Sequence, residues 1–314
     1  MAGEKLGRHI DFSSPRGYYL DYSHMAASEP ECDERGVPVV RVKDGRASSP
    51  PLAARAALGN LELYFESGNP ARRERFSSLA SWLIDSMEVV PGSFGGWSMP
   101  DVPRRLRSEL PEGWFSASAH AECVAVLVRA ISLLHMEGAA EAARRALGAF
   151  HTGVEDGGFL REIGEAGSDS GVESLAFIEE YPVPCAPRMV LGSHVKAVWT
   201  LFDYLDIDDD PGVRALFNRC VSGLAFSLER FDLGYWTTGS LDGRRIRPAS
   251  SERHRTHVLM METLYRMTGE AAFGEAAERW RGYAAEPRNK ARARLERARA
   301  ALANVRTPPA PEPE

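Results

Sequence analysis

Lysine is almost missing from this 314-residue sequence: only Lys5, Lys43, Lys196 and Lys290 occur, and arginine supplies the rest of the 38 basic residues. Against 44 acidic residues they leave a net charge of -6, so there is no domain-wide basic field and nucleic acid is not an expected partner. A surface preference for one cation accounts for the bias. The functional alternative is that some arginines grip carboxylates or sulfates as planar forks, which lysine cannot imitate. Cysteine is scarce as well. Cys32, Cys123, Cys185 and Cys220 lack the close pairing of a structural zinc site, and Cys123 and Cys220 sit among Val, Ala and Leu like small buried apolar groups. The N-terminus has no apolar stretch of the signal-peptide kind, and no run approaches the roughly eighteen apolar residues of a membrane span. These absences predict a cytoplasmic chain with reduced thiols and no membrane partner. Sustained strand alternation is missing too, which points to an all-α class.

What the sequence does carry is helical periodicity. Phe76, Leu79, Ala80, Leu83, Ile84 and Met87 recur at helical spacing, as do Val124, Leu127, Ile131 and Leu134. Two later sets do the same: Leu191, Val195, Val198, Trp199, Phe202 and Leu205, then Val258, Met261, Leu264 and Tyr265. Sharp turns separate paired helices. Glu66-Ser67-Gly68-Asn69-Pro70 ends one helix at glycine and opens the next with an Asn cap and Pro at the first helical position. Met136-Glu137-Gly138, Asp210-Pro211 and Met267-Thr268-Gly269-Glu270 are analogous. The turns repeat roughly every 60 to 70 residues, a period suited to stacked helical pairs. The prediction is an α/α toroid-like ring of helical hairpins over residues 18–286, with short β-hairpins or irregular loops at one rim. An extension, 1–17, precedes it, and a charged helical, proline-rich and partly disordered tail, 287–314, follows it.

A second set of loops follows the second helix of each pair: Ser93-Phe94-Gly95-Gly96-Trp97, Glu155-Asp156-Gly157-Gly158-Phe159 and Asp232-Leu233-Gly234-Tyr235-Trp236. Each sets an aromatic beside glycine. Such an aromatic either plugs the helix end or lines a cleft where ring faces stack on sugars.

Several stretches then resemble one family. Trp114-Phe115-Ser116-Ala117-Ser118-Ala119-His120, running on to Leu127-Val128-Arg129-Ala130, is similar to a signature helix of the D-glucuronyl C5-epimerases. Glu179-Glu180-Tyr181-Pro182 resembles the family's EEYP motif, Phe231-Asp232-Leu233-Gly234-Tyr235-Trp236 its YDTGYW, and His254-Arg255-Thr256-His257-Val258 its YHxxHI segment. Gly17-Tyr18-Tyr19-Leu20-Asp21 and Ala57-Leu58-Gly59 also fit, so the resemblance runs in order over most of the chain. It implies removal of a proton from C5 of a uronate, alpha to the carboxylate, and its return to the opposite face, without a redox cofactor. Such chemistry needs an acid/base group on each face and cations on the carboxylate as it takes on enolate character. The family is thought to use tyrosines helped by arginine. This chain departs from that pattern at four places: a tyrosine expected shortly after Tyr235-Trp236 falls near Gly239, the one before the His-x-x-His segment is replaced by Arg253, the early helix reads Ser48-Ser49-Pro50 where relatives often carry a tyrosine-rich stretch, and two signature glutamines appear as His120 and Glu122.

The candidate catalytic residues are Tyr181, His254 and Glu180, with Glu180 orienting the tyrosine and His254 standing in for a lost one. Candidate substrate contacts are Arg188, Arg253, Trp97, Trp114, Tyr235, Trp236, His120, Glu122, His194 and His257. His120 and His194 also read as satisfied core residues, His254 and His257 as histidines lining a polar pocket or capping a helix, Glu122 as a solvated acid and Trp114 as a filler of the ring's centre. No metal and no cofactor are expected, and the partner is an anionic carbohydrate or small-molecule substrate, with a homodimer left open. The expected function is a uronate C5-epimerase-like isomerase. The alternatives are a repurposed toroid performing a cyclisation, elimination or isomerisation on a non-polysaccharide substrate such as a natural product, and a non-catalytic binding protein.

Overall fold

Proline and short polar caps set where the helices begin. The computed structural model describes residues 5–306 apart from 29, 44, 91–93, 104–105, 166–173, 185–186 and 242–245, so Cys185 and the proline-rich end lie outside the described residues. Four helical hairpins follow one another: α2 (Pro50–Ser67) with α3 (Pro70–Asp85), α4 (Ala117–Leu134) with α5 (Ala139–His151), α6 (Leu191–Leu205) with α7 (Pro211–Ser227), and α8 (Ser251–Thr268) with α9 (Ala271–Ala285). A short α1 (Ser23–Ala27) precedes them and α10 (Pro287–Arg306) follows. The four turns singled out in the sequence join the members of these pairs. Gly68 and Gly269 take left-handed φ of 66° and 72° as C-caps, a conformation that a Cβ would strain. Asn69 and Asp210 accept hydrogen bonds from the first free N–H groups of α3 and α7.

The first helix of each pair lies inside. α2 packs on α4, α4 on α6 and α6 on α8, while α3, α5, α7 and α9 cover them from outside. α4 is long and apolar enough to cross a bilayer by composition alone, contrary to the reading of the sequence, yet most of it is covered by its neighbours. The N-terminal segment reaches both α2 and α8. Arg8 pairs with Glu62 and Glu66 of α2, and Lys5 and Leu6 lie beside Arg255, Val258 and Leu259 of α8. Tyr18 and Tyr19 pack on Trp199 of α6. Fully buried Arg129 donates to the Gly17 carbonyl and sits 2.9 Å from Asp203. Residues 5–17, expected as an extension ahead of the domain, therefore belong to its packing.

Two-stranded antiparallel pairs occupy the connections: β1 (Val39–Val42) with β2 (Gly45–Ser48), β3 (Glu88–Val89) with β4 (Gly95–Gly96), β5 (Leu160–Glu165) with β6 (Ser174–Ile178), and β7 (Met189–Val190) with β8 (Ser240–Leu241). The last pair ties the segment leading into α6 to the loop before α8. The tail helix α10 is not free in solvent: Ala293 is buried with Tyr235 and Trp236, and the Tyr235 hydroxyl donates to Glu296.

Candidate active site

Three of the four inner helices place a histidine at their fourth residue, and the three do the same thing. His120, His194 and His254 reach back to the outer helix of their own hairpin, where Nε2 lies 2.8, 3.1 and 2.9 Å from the carbonyls of Ala146, Cys220 and Trp280. The partner is 26 residues along the chain each time. A carbonyl only accepts, so each Nε2 carries a proton. The rings are buried against loop aromatics: His120 beside Trp97 and Phe159, His194 stacked 4.0 Å from Phe177, His254 stacked 3.8 Å from Trp236. Burial pushes the three pKa values down to about 4, about 3 and about 4, which keeps the rings neutral. These histidines staple hairpins together and do not line the substrate cavity expected of them. Trp97 and Trp236 are equally committed, donating to the carbonyls of Leu83 and Ala249 from buried positions, and Tyr235 is turned toward α10. The glycine–aromatic loops thus plug helix ends rather than present platforms.

Two residues further along each helix the chemistry changes. The sixth residues of α2, α4, α6 and α8 are Arg55, Glu122, Lys196 and Thr256, and the first three meet. Glu122 is fully buried and accepts from Arg55 Nε at 2.8 Å, Lys196 Nζ at 2.6 Å and the Tyr22 hydroxyl. Burial by itself would raise this carboxyl, but Arg55 and Lys196 outweigh it and hold the group below its ordinary value. Above this cluster lies a cavity of about 400 Å³ lined by Arg55, Lys196 and Thr256 together with Glu180, Tyr181, Arg188, Gly239, Arg253 and His257. It opens at the N-terminal ends of α4, α6 and α8, where the helix dipoles add positive potential.

The loop after β6 supplies the wall. The carboxylate of Glu180 accepts from the hydroxyls of Ser116 at 2.6 Å and Ser193 at 2.5 Å and from the Ser118 N–H at 2.9 Å, fastening the starts of α4 and α6 to this loop. Burial raises its pKa against those hydrogen bonds. Glu179 turns the other way, to Arg161 and the N–H of Arg188, and Arg188 pairs with Glu109. Tyr181 is half-buried with its ring 5.5 Å from Trp114, within a small apolar cluster that includes Leu106, Leu110 and Val183. Trp114 itself is buried, with Nε1 donating to the Asp101 carbonyl, so it backs the tyrosine without facing the cavity. On α8, Arg253 is exposed at the cavity and makes no ion pair among the described residues, while buried His257 shares the Thr237 hydroxyl with His254, 2.9 Å from each Nδ1. Among the described residues no group of three or more His, Cys, Asp or Glu is arranged to hold a metal ion.

Residues 92–282 match the family described as D-glucuronyl C5-epimerase C-terminus. The chain belongs to this family. Its fold is similar to that of a sugar epimerase from a ruminal bacterium, with a TM-score of 0.51 and 13% identity over 76% of this chain and 60% of that one. It also resembles cellobiose 2-epimerase from Bacillus thermoamylovorans, with a TM-score of 0.55 and 12% identity over 90% of this chain and 76% of that one. The present chain thus spans 60% of the length of the first of these. At such identities the likeness concerns the fold, the α/α toroid.

Within the epimerase family's pattern, the structure brings Tyr181, Glu180, Arg188, Arg253 and His257 to one cavity, with Glu122 just beneath it. It also brings two of the departures there: Gly239 and Arg253 stand side by side in the wall, and a Cβ on Gly239 would lie 3.2 Å from Arg253 Cδ and 3.6 Å from His257 Cε1. Arg55 and Lys196 escaped the sequence reading. A signal was present for the second, since one of four lysines sits in an otherwise apolar helix, two residues after a histidine, as Glu122 does after His120.

Proposed function

We propose that this chain is an epimerase acting alpha to a carboxylate on a uronate, with Tyr181 as one proton carrier. The observation that carries the proposal is the meeting of Tyr181 with Arg55, Arg188, Lys196 and Arg253 in one cavity. Among the described residues these four cations meet three carboxylates, those of Glu109, Glu122 and Glu180, which favours a bound anion. Removal of a proton from C5 moves charge onto the substrate carboxylate, and fixed cations there stabilise the transition state more than the ground state. Glu180 is held by three donors of its own and acts here by fixing the loop that presents Tyr181.

A second reading, a small acid in place of a polysaccharide, is favoured by two features. The cavity's roughly 400 Å³ lies within the common range for small-molecule sites, and glycine and arginine replace two expected tyrosines in its wall. Both readings share proton transfer at the α-carbon. The test is deuterium incorporation at C5 in heavy water with heparosan-type polymers, short glucuronate oligosaccharides and free uronates. The expected result is incorporation that Tyr181→Phe lowers by at least about 100-fold. Wild-type protein that incorporates no deuterium into any of the three substrate types would refute the proposal.

A further inference from the structure

We infer that His257 is the second proton carrier, held in its working tautomer by a relay from the Trp280 carbonyl through His254 and Thr237. The inference rests on the epimerase reading above. The Trp280 carbonyl obliges His254 Nε2 to carry hydrogen, and a neutral ring then has a bare lone pair on Nδ1. That lone pair accepts the single hydrogen of the Thr237 hydroxyl, 2.9 Å away. With its hydrogen committed, Thr237 Oγ1 can only accept from its other neighbour, so His257 Nδ1 must be the protonated nitrogen, again at 2.9 Å. Nε2 of His257 is left as a lone pair. This nitrogen has no hydrogen-bond partner among the described residues, and its ring lines the cavity beside Gly239. Burial, with Arg253 and His254 nearby, pushes the ring's pKa down to about 3, so the lone pair is present at neutral pH. With no side chain at Gly239, the Arg253 stem and the His257 ring both approach this point of the cavity wall, 3.2 Å and 3.6 Å from where a Cβ would stand.

In the forward reaction the C5–H bond breaks, its proton goes to His257 Nε2, and its electron pair enters the C5–C6 bond to give an enediolate held by the cavity cations. The Tyr181 hydroxyl delivers a proton to the opposite face of C5, forming the new C–H bond and leaving a phenolate. The imidazolium then loses its proton to water and the phenolate takes one from water, which restores the enzyme. His254 and Thr237 touch no reacting atom and are positioning residues. This exchanges the roles read from the sequence, where His254 stood as catalytic and His257 as a contact.

Two measurements on the full chain test the inference. Nitrogen NMR of 15N-histidine-labelled protein should show His120, His194 and His254 protonated on Nε2 and His257 alone of the four protonated on Nδ1; a His257 protonated on Nε2 overturns the relay. In the heavy-water assay, His257→Gln should lose at least about 100-fold in exchange rate. Thr237→Val should lower kcat about 10-fold or more with KM unchanged, and Thr237→Ser, which keeps the hydroxyl, should recover it. Wild-type exchange that persists within about three-fold in His257→Gln overturns the inference and leaves the epimerase reading standing. No exchange in the wild type removes both.

Discussion

Replacing Glu122 by glutamine keeps the shape of the side chain and removes the one negative charge that Arg55 and Lys196 share. Both carboxylate oxygens are used, one by Lys196 and Tyr22 and the other by Arg55, with no exposure to solvent. The Lys196 side chain is 8% exposed and keeps only the Ser118 hydroxyl and the field of the Glu180 carboxylate, so Glu122→Gln leaves a buried ammonium without its direct ion pair. The Arg55 side chain is 33% exposed and can rehydrate. Breaking a buried pair from one side costs about 3–5 kcal/mol, and the accessible arginine places this case near 3. An unfolding entropy of about 2.1 cal/mol/K per residue over roughly 300 residues converts that into a fall in Tm of about 5 °C. The pH dependence has a defined sign. Because the folded pKa of Glu122 is depressed, its stabilisation is present above the unfolded carboxyl's pKa and is lost as pH falls through the folded value. Thermal unfolding followed by circular dichroism should therefore show the gap between wild type and Glu122→Gln closing in acid. A gap under about 1 °C at pH 7, or one that widens in acid, would refute this account of the cluster.

The four buried histidines make a related prediction. His120, His194, His254 and His257 are held neutral, with pKa values lowered from 6.5 to about 4, 3, 4 and 3, so the unfolded chain binds more protons below pH 6.5 and stability falls as pH drops from there toward 4. At pH 5 each costs about 2 kcal/mol, and a Tm unchanged between pH 7 and pH 5 would contradict their neutrality. Arg253→Leu should leave Tm within about 1 °C, since the guanidinium makes no ion pair among the described residues, while raising KM for an anionic substrate about 10- to 100-fold. An unchanged KM would remove Arg253 from the binding set. Gly59→Ala should cost about 1–3 kcal/mol by chemical denaturation, because a methyl there runs into the Tyr22 carbonyl and the side chain of Ala26.

Much of the cavity wall could be read before the fold was known, and the reason differs from residue to residue. Tyr181, Glu180, Arg188 and Arg253 stand in or beside short motifs, and motif residues close in sequence stay close in space. His120, His194 and His254 looked like pocket residues because a lone histidine in an apolar helix has two readings, and periodicity does not say which neighbour its ring will meet. The carbonyl 26 residues ahead decides it. Trp97 and Trp236 were ambiguous for the same reason: a glycine–aromatic loop serves equally as a plug or a platform until the packing beneath it is known. Arg55 carried no local mark at all.

By itself the sequence determined the hairpins. Gly68, Asn69-Pro70, Asp210-Pro211 and Gly269 end and begin helices through hydrogen bonds within a few residues of themselves, and apolar spacing marks the buried faces. Only the tertiary structure decided the site. Arg55, Glu122 and Lys196 are separated by 67 and 74 residues, and they meet because each is the sixth residue of an inner helix laid beside the last. His254 and His257 differ by one turn of the same helix, yet one is locked to a backbone carbonyl and the other borders the cavity. That difference depends on which atoms the neighbouring helix and loop present to each ring, and such atoms are set by packing between segments far apart in the chain.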